Sequence, residues 1–435
     1  GLGDVYKRQI FKEQIKMWSD FGFNIPISEG RFWLDNGIIK GFTHDGELHK
    51  LYKYRVCDDL TVNITEHKDF KSTIKSSFRE DIFETWEEAY QRLASDLQIK
   101  IDESLDVIRD AVKKYSDYEF WCTTSTGKDS TVTLNLVQQV KPDIKVMFNN
   151  TSCDVADTYK IVKTHSDWIV TNPKEGIYNF FKRMNYIPTR FSRGCCSIYK
   201  EGASVEYFNN HNVDKLIQIM GIRNDESNTR SGYDFIKHNT KWSNPNWFAL
   251  YPIRKWSDLD VWLYILHNNL EINSKYRNGY SRVGCAICCP YYTKSTWVLD
   301  KYWYPTLYNR WHMILQKVFL ENQRWQKVNC TLSEYHSCWN GGLLRPEPTD
   351  EVIREMMNYK GITDYNVAKQ YFNKTCSECG KNVRQNDVLA MNMKYHGRNV
   401  TEVKCKKCLM NELDMSKEEW SKKVEDFKNQ GCNLF

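Results

Sequence analysis

Five short apolar runs, YEFWCTT, IKVMFNN, DWIVTNP, KLIQIMGIR and FALYPIRKW, recur between Tyr118 and Trp256, each bounded by polar turns. The stretches between them are long enough for helices. Antiparallel strands can be joined by a tight turn, but parallel strands need a crossover, normally a helix. The alternation therefore predicts an α/β fold, a parallel sheet covered by helices on both faces in three layers. Thr131–Val140 has apolar residues that partly alternate and fits strand or helix by itself. The crossover requirement assigns it as helix.

The flanks read differently. Residues 1–84 form a small β-rich region, with Asn36-Gly37 and Asp45-Gly46 as hairpin turns between short apolar runs. From Thr85 to Tyr115 the apolar residues Trp86, Tyr90, Leu93, Leu97, Ile101, Leu105, Ile108 and Val112 recur at helical spacing. This helix leads into the α/β domain, assigned with it to residues 85–300. Residues 301–372 read as mostly helical and aromatic-rich, with a break at NGGLLRPEPTDE, and 373–435 as a Cys-paired module followed by a helix with a capping-box start. The opening GLGDVYKRQI lacks the apolar core of a signal peptide and fits poorly with the residues after it. No run reaches the roughly eighteen apolar residues of a membrane span, so a cytoplasmic location without membrane contact is expected. The net charge of +6, from 61 basic and 55 acidic residues, is too mild to argue for nucleic acid by itself.

The first apolar run ends in Ser125-Thr126-Gly127-Lys128-Asp129-Ser130. Small residues after a strand let backbone N–H groups approach phosphate oxygens, and a following helix N-terminus favours negative charge. Lys128 would neutralise a leaving pyrophosphate, and Asp129 would bind Mg²⁺, which takes a carboxylate together with phosphate oxygens. The run is not a Walker motif, because Asp129 follows Gly127-Lys128 where that motif needs Ser or Thr. On spacing alone, a polar turn and a phosphate cradle are both open. GIRNDESNTR follows the run KLIQIM and sets Arg223, Asp225, Glu226 and Arg230 beyond a strand end, where α/β sheets bind ligands. Two arginines there suit a phosphate or sulfate; a solvated charged loop is the other reading.

The chain has 15 cysteines. In a reducing compartment, clustered cysteines point to metal or redox chemistry rather than disulfides. Cys376, Cys379, Cys405 and Cys408 form two CxxC pairs, the spacing of a zinc ribbon whose four thiolates close the Zn²⁺ site. Cys195-Cys196, and Cys285 with Cys288-Cys289, form two further groups.

STGKDS, GIRNDESNTR, YPIRKWSDLDVWLYIL and YRNGYSRVGCAIC occur in the order found in the phosphoadenosine phosphosulfate (PAPS) reductase family, of the adenine nucleotide alpha hydrolase or PP-loop superfamily, which the segment from about Tyr118 to Thr293 resembles. The resemblance implies a Rossmann-like α/β/α sandwich that binds an adenine nucleotide at the first strand–loop–helix. Some members cleave ATP between the α and β phosphates; others reduce adenylylated sulfate. It implies Ser125, Thr126, Gly127, Lys128, Asp129 and Ser130 as the nucleotide-binding loop, and Lys128, Asp129, Arg223 and Arg230 as the catalytic set. Thr126 stands where the common S-G-G-x-D-S form has its first Gly, and a threonine disfavours positive φ. The CC pair and distant CxxC resemble the 4Fe–4S ligands of adenylylsulfate reductases and of the sulfur-activating ATPases of DNA phosphorothioation systems, here Cys195, Cys196, Cys285 and Cys288. Zinc and plain buried cysteines are the rival readings of that set. The reductases' nucleophilic Cys, in an E-C-G-x-H context, has no counterpart; Glu378-Cys379-Gly380 lacks the His. The reading reached is an ATP-dependent enzyme that adenylylates an acceptor, with the cluster handling sulfur and with DNA or a sulfur-donor protein as partner. A thiol-dependent reductase of adenylylated sulfate and a non-catalytic, nucleotide-sensing nucleic-acid-binding module are the alternatives.

Overall fold

The strand runs of the central segment alternate between two apolar cores. Phe120, Cys122, Val146, Phe148, Ile217, Ile219 and Leu250 face one core, while Trp121, Met147, Leu216, Trp247 and Ala249 face the other. A period of two with both faces buried is the signature of a sheet sandwiched between helices. Each fully buried side chain of this size stabilises the fold by roughly 1.5–3 kcal/mol.

The computed structural model describes residues 8–57, 61–184, 194–224, 234–238, 244–286, 294–321, 328–329, 347–348, 350, 353–354, 357–358, 361–370, 375–381, 383, 386–430, 432 and 434. The chain divides into two compact units, Gly1–Ile314 and Leu315–Phe435.

In the first unit, β1 (Arg8–Gln9), β2 (Phe32–Asp35), β3 (Ile38–Phe42), β4 (Leu48–Val56) and β5 (Val62–Glu66) form an antiparallel sheet in sequence order. Asn36 and Gly37, at φ 48° and 80°, turn β2 into β3, as their hairpin signal predicts. Helices α1 (Lys12–Asp20) and α2 (Ser72–Ser76) accompany this sheet. Arg8–Gln9 pairs with β2, so the chain enters the fold within the segment that reads as ill-fitting. The sheet's core, with Trp18, Phe32, Ile39, Leu51 and Phe83, also holds Tyr280, Val298 and Leu299. The N-terminal region thus packs against the end of the segment expected to form the nucleotide domain.

Helix α3 (Trp86–Lys114) opens with a capping box between Thr85 and Glu88. The second sheet follows: β6 (Glu119–Thr124), β7 (Lys145–Asn149), β8 (Ile169–Thr171), β9 (Leu216–Met220), β10 (Ile236–His238) and β11 (Trp247–Leu250), in the order β10-β11-β9-β6-β7-β8. The strands from β11 to β8 are parallel, but β10 runs antiparallel to β11. The expected purely parallel sheet is therefore a mixed one with an antiparallel edge. That arrangement is common, because an edge strand can pair with its sequence neighbour without a crossover. Helices α4 (Lys128–Val140), α5 (Ala156–Thr164), α6 (Ile177–Met184), α7 (Gly194–Cys196) and α8 (Gly202–Asn210) lie among the strands in sequence. They are followed by α9 (Asp258–His267), α10 (Ser274–Arg277), α11 (Lys294–Trp303) and α12 (Pro305–Glu321). The first core takes residues of α3, α4 and α9, and the second takes Phe208 of α8, which gives the three layers.

The second unit holds a two-stranded ladder, Val328–Asn329 with Glu347–Pro348, and helices α13 (Tyr365–Gln370), α14 (Asn386–His396), α15 (Lys406–Glu412) and α16 (Lys417–Asn429). Glu347–Pro348 lies in the break at NGGLLRPEPTDE, while Val328–Asn329 lies in the stretch expected to be mostly helical. A capping box between Ser416 and Glu419 starts α16. Among the described residues no helix is long and apolar enough to cross a membrane.

Candidate active site at the carboxyl end of the central sheet

β6 ends at Thr124 and α4 begins at Lys128, so Ser125-Thr126-Gly127 is the whole connection. The loop is tied to itself. The Ser125 amide donates to Ser130 Oγ at 3.2 Å, the Thr126 amide to Thr124 Oγ1 at 3.1 Å, and Ser130 Oγ to the Gly127 carbonyl at 2.9 Å. Thr126 takes φ +57°, which costs a β-branched residue roughly 1–2 kcal/mol. Its buried side chain is anchored: Asn273 Nδ2 donates to Thr126 Oγ1 at 3.0 Å and to Thr158 Oγ1 at 3.0 Å. The threonine thus takes a left-handed backbone that favours glycine, held by a side-chain hydrogen bond that glycine cannot make.

Of the first-turn donors of α4, the Lys128 amide is taken by the Tyr276 hydroxyl at 2.9 Å. Burial raises the Tyr276 pKa to about 12, so the phenol stays neutral. Among the described residues, the amides of Gly127 and Asp129 find no protein acceptor. Gly127 and Asp129 line a cavity of about 520 Å³, with Ser125, Ser130, Asn149, Asp154, Ile222 and Arg223. A volume of this order suits a small ligand.

Beside the loop, four charges close on one another. Lys128 Nζ lies 2.8 Å from Asp129 Oδ2 and 2.9 Å from Asp258 Oδ1; Arg223 Nε lies 2.5 Å from Asp129 Oδ1, and Arg223 Nη2 2.5 Å from Asp258 Oδ1. The side chains of Lys128 and Arg223 are 6% and 5% exposed, so the pairs are little screened by solvent. Burial pushes the Asp129 pKa up, but Lys128 and Arg223 outweigh it and hold the carboxyl below its ordinary value. Burial likewise opposes the Lys128 ammonium, and Asp129 and Asp258 overcome it, raising the pKa. Both groups stay charged at neutral pH.

Gly221, just past β9, makes this approach possible. A Cβ there would sit 2.6 Å from the Asp129 carbonyl carbon and oxygen and 2.8 Å from the Ser130 nitrogen. Gly221→Ala is therefore expected to push the first turn of α4 off the sheet. The displacement should cost about 1–3 kcal/mol of stability and, at about 1 Å, roughly 100-fold in any turnover that depends on the loop. Urea denaturation and nucleotide titration of the variant check this.

The sequence motifs meet here unevenly. Ser125, Gly127, Lys128, Asp129, Ser130, Arg223 and Cys285 line one cavity, and Thr126 is buried behind it. Arg230 and Cys288, with Asp225, Glu226 and Cys289, lie outside the described residues. Cys195 and Cys196 form α7 and run into a π-helical turn, Ser197–Glu201. Lys200 of that turn lines the same cavity, with its Nζ 3.9 Å from the position a Gly284 Cβ would take. Cys285 and Lys200, which follows the Cys195-Cys196 pair, line the cavity, but among the described residues the sulfurs of Cys195, Cys196 and Cys285 are not gathered into a ligand group. Sequence reading does not single out Asp258, Tyr276, Asn273 or Asp154. Asp258 is the first residue of α9, inside its Ser257–Asp260 capping box, and that local signal is legible in KWSDLD. Asp154 lines the cavity, accepts from Thr151 Oγ1 at 2.7 Å, and has its pKa raised by burial.

In the second unit, the ligand sulfurs of Cys376, Cys379, Cys405 and Cys408 all lie within 4.8 Å of one another. Gly380, at φ +67°, closes the first knuckle, and its amide donates to the Cys376 carbonyl at 2.9 Å. Cys405 is the N-cap residue of α15. Burial raises the pKa of Cys376, but hydrogen bonds from the amides of Cys405, Cys379 and Glu378 hold it below the ordinary thiol value.

Residues 119–290 match the phosphoadenosine phosphosulfate reductase domain family. An uncharacterized protein of Methanocaldococcus jannaschii is 29% identical over 252 residues, covering 56% of this chain and 59% of that protein. The chain spans about half the length of the Methanocaldococcus jannaschii relatives it matches. The adenosine 5′-phosphosulfate reductase of Geobacillus sp. (strain WCH70) is 25% identical over 213 residues, covering 47% of this chain and 87% of that enzyme. Among solved structures, a phosphoadenylyl-sulfate reductase from Candida auris superposes with a TM-score of 0.35 at 20% identity, over 42% of this chain and 88% of that one. From the family match, and from the strand–loop–helix site within it, residues 119–290 carry a phosphoadenosine phosphosulfate reductase domain.

Proposed function

We propose that the domain binds ATP in the 520 Å³ cavity and adenylylates an acceptor in a sulfur-transfer reaction. The observation that carries this reading is the loop itself. Gly127 and Asp129 line the cavity at the N-terminus of α4, beside the Lys128 and Arg223 cations. Amides at a helix start and flanking cations are what a phosphate chain requires. Asp129 and Asp258 are the carboxylates at that wall able to bind Mg²⁺.

In the reaction, an acceptor oxygen attacks the α phosphorus. Its bond to phosphorus forms as the bond to the bridging pyrophosphate oxygen breaks, and its proton passes to solvent. Lys128 and Arg223 stabilise the charge gathering on the leaving pyrophosphate, and the fixed loop holds the line of attack. A sulfur nucleophile at the sulfide level, delivered by a donor protein, then displaces AMP. Cys195, Cys196 and Cys285 offer the soft thiolates that a 4Fe–4S cluster takes; Cys285 lines the cavity, and so does Lys200, which follows the Cys195-Cys196 pair. With Cys288 they would hold a cluster, which when bound handles sulfur or an electron. We infer zinc at Cys376, Cys379, Cys405 and Cys408, because tetrahedral Zn–S bonds of about 2.3 Å set sulfurs about 3.8 Å apart, and Cys379 and Cys405 Sγ are 3.7 Å apart.

The test is pyrophosphate release from ATP by anaerobically purified protein offered DNA, RNA and a sulfide source. Release is expected, falling about 100-fold or more in Asp129→Asn. Sulfite from adenylylated sulfate with thioredoxin, and no pyrophosphate, would replace this reading with a reductase. ATP binding without either product would leave a nucleotide sensor.

A further inference from the structure

A second cavity, of about 710 Å³, adjoins the first. Ser281, Arg282, Val283, Gly284 and Cys285 line both, so one loop is the partition between them. The far wall belongs to the N-terminal sheet: the Asn36-Gly37 turn and Tyr54, Arg55 and Val56 of β4. That wall is fixed in place. The Tyr54 amide donates to the Gly37 carbonyl at 2.7 Å, and a Cβ on Gly37 would come within 2.8 Å of the Tyr54 carbonyl oxygen. Tyr280, which lines the cavity, shares the core of the N-terminal sheet.

The walls are cationic. Arg55, Lys200, Lys275 and Arg282 line the cavity, and among the described lining residues Asp258 is the only carboxylate. Asp258 is already bound by Lys128 and Arg223. The first cavity, by contrast, sets Asp129, Asp154 and Asp258 against its cations. Tyr54, half-buried, adds an aromatic ring to the cationic walls, while Tyr280 is buried beneath Lys275. Cations with an aromatic ring in a nucleotide-sized space fit an unpaired nucleotide of a nucleic acid strand, with its phosphate against the arginines and its base against the ring. The space cannot admit a duplex whole.

We propose that this second cavity is the acceptor site, that its ligand is a single-stranded nucleic acid segment, and that the N-terminal sheet exists to build it. The proposal rests on the adenylylation reading for its place in the reaction, but its binding test does not. Arg55 is exposed on β4, so Arg55→Glu leaves the core untouched. Lys113→Glu, on the exposed face of α3, makes the same charge change away from both cavities. Fluorescence anisotropy with labelled oligothymidylate and oligouridylate of about 15 nucleotides is measured across a salt series for each protein. Arg55→Glu should weaken binding about tenfold and flatten the salt slope by about one, with Lys113→Glu near wild type and ATP affinity unchanged in both. The tighter probe assigns DNA or RNA. No binding by wild type at low salt, or equal losses in the two variants, overturns the proposal even if pyrophosphate is released. Selective loss in Arg55→Glu without pyrophosphate release sustains this site and sinks the adenylylation reading.

Discussion

Stripping the zinc we infer at Cys376, Cys379, Cys405 and Cys408 is expected to unfold the second unit. Apparent binding energies of structural zinc sites are about 10–16 kcal/mol at neutral pH, more than the whole stability of an ordinary domain. The site is joined to the unit's core. Cys376 is itself a core member, and Cys405 and Cys408 pack against the cluster that contains Val403, Leu409, Trp420 and Val424. A strong chelator, or Cys405→Ser, should remove about one zinc per chain and abolish one of the calorimetric transitions. Helical signal from α14, α15 and α16 should fall with it. Zinc-free protein that keeps both transitions would show that the sulfur cluster is incidental to folding.

Arg223→Met should be the most costly single change in the first unit, at about 3–5 kcal/mol. It leaves Asp129 and Asp258 facing one another with Lys128 alone to neutralise both. Arg223→Met combined with Asp258→Asn removes one charge of each sign and should recover much of the loss. Denaturant midpoints of the single and double variants measure the difference. The pH dependence arises from the same quartet. The Asp129 pKa is lower folded than unfolded, so its contribution is present above the unfolded value near 4 and is lost as pH falls through the folded value. The Lys128 pKa is higher folded than unfolded, so its contribution is present below the unfolded value near 10.4 and is lost as pH rises through the folded value. Wild type should show a stability plateau between these limits, with a shallower acid limb in Arg223→Met.

How much of the fold and the site is legible in the sequence depends on the reach of each interaction. Helix α3 and its capping box, the Asn36-Gly37 turn and the strand–loop–helix at Ser125–Ser130 are local, and residue order alone displays them. The paired CxxC spacing likewise foretells the sulfur cluster. Tyr276 and Asn273 are invisible because their partners, Lys128 and Thr126, stand 148 and 147 residues away. Nothing near a tyrosine or an asparagine announces a contact at that distance. Thr126 misleads for a related reason. Propensity disfavours its φ, and the buried hydrogen bond that overrides propensity comes from another segment. The antiparallel β10 and the core shared by the N-terminal sheet with Tyr280, Val298 and Leu299 are also products of packing rather than of pattern.

The Ser281–Cys285 loop is wall to two cavities at once. Its conformation is then a common variable of two binding equilibria. Whatever factor a nucleotide applies to the affinity for the other cavity's occupant, that occupant must apply to the nucleotide. A loop shift worth about 1–3 kcal/mol would couple the two sites by about 5–150-fold. The order in which the two ligands arrive would then be set by the resting position of five residues, with no moving domain required.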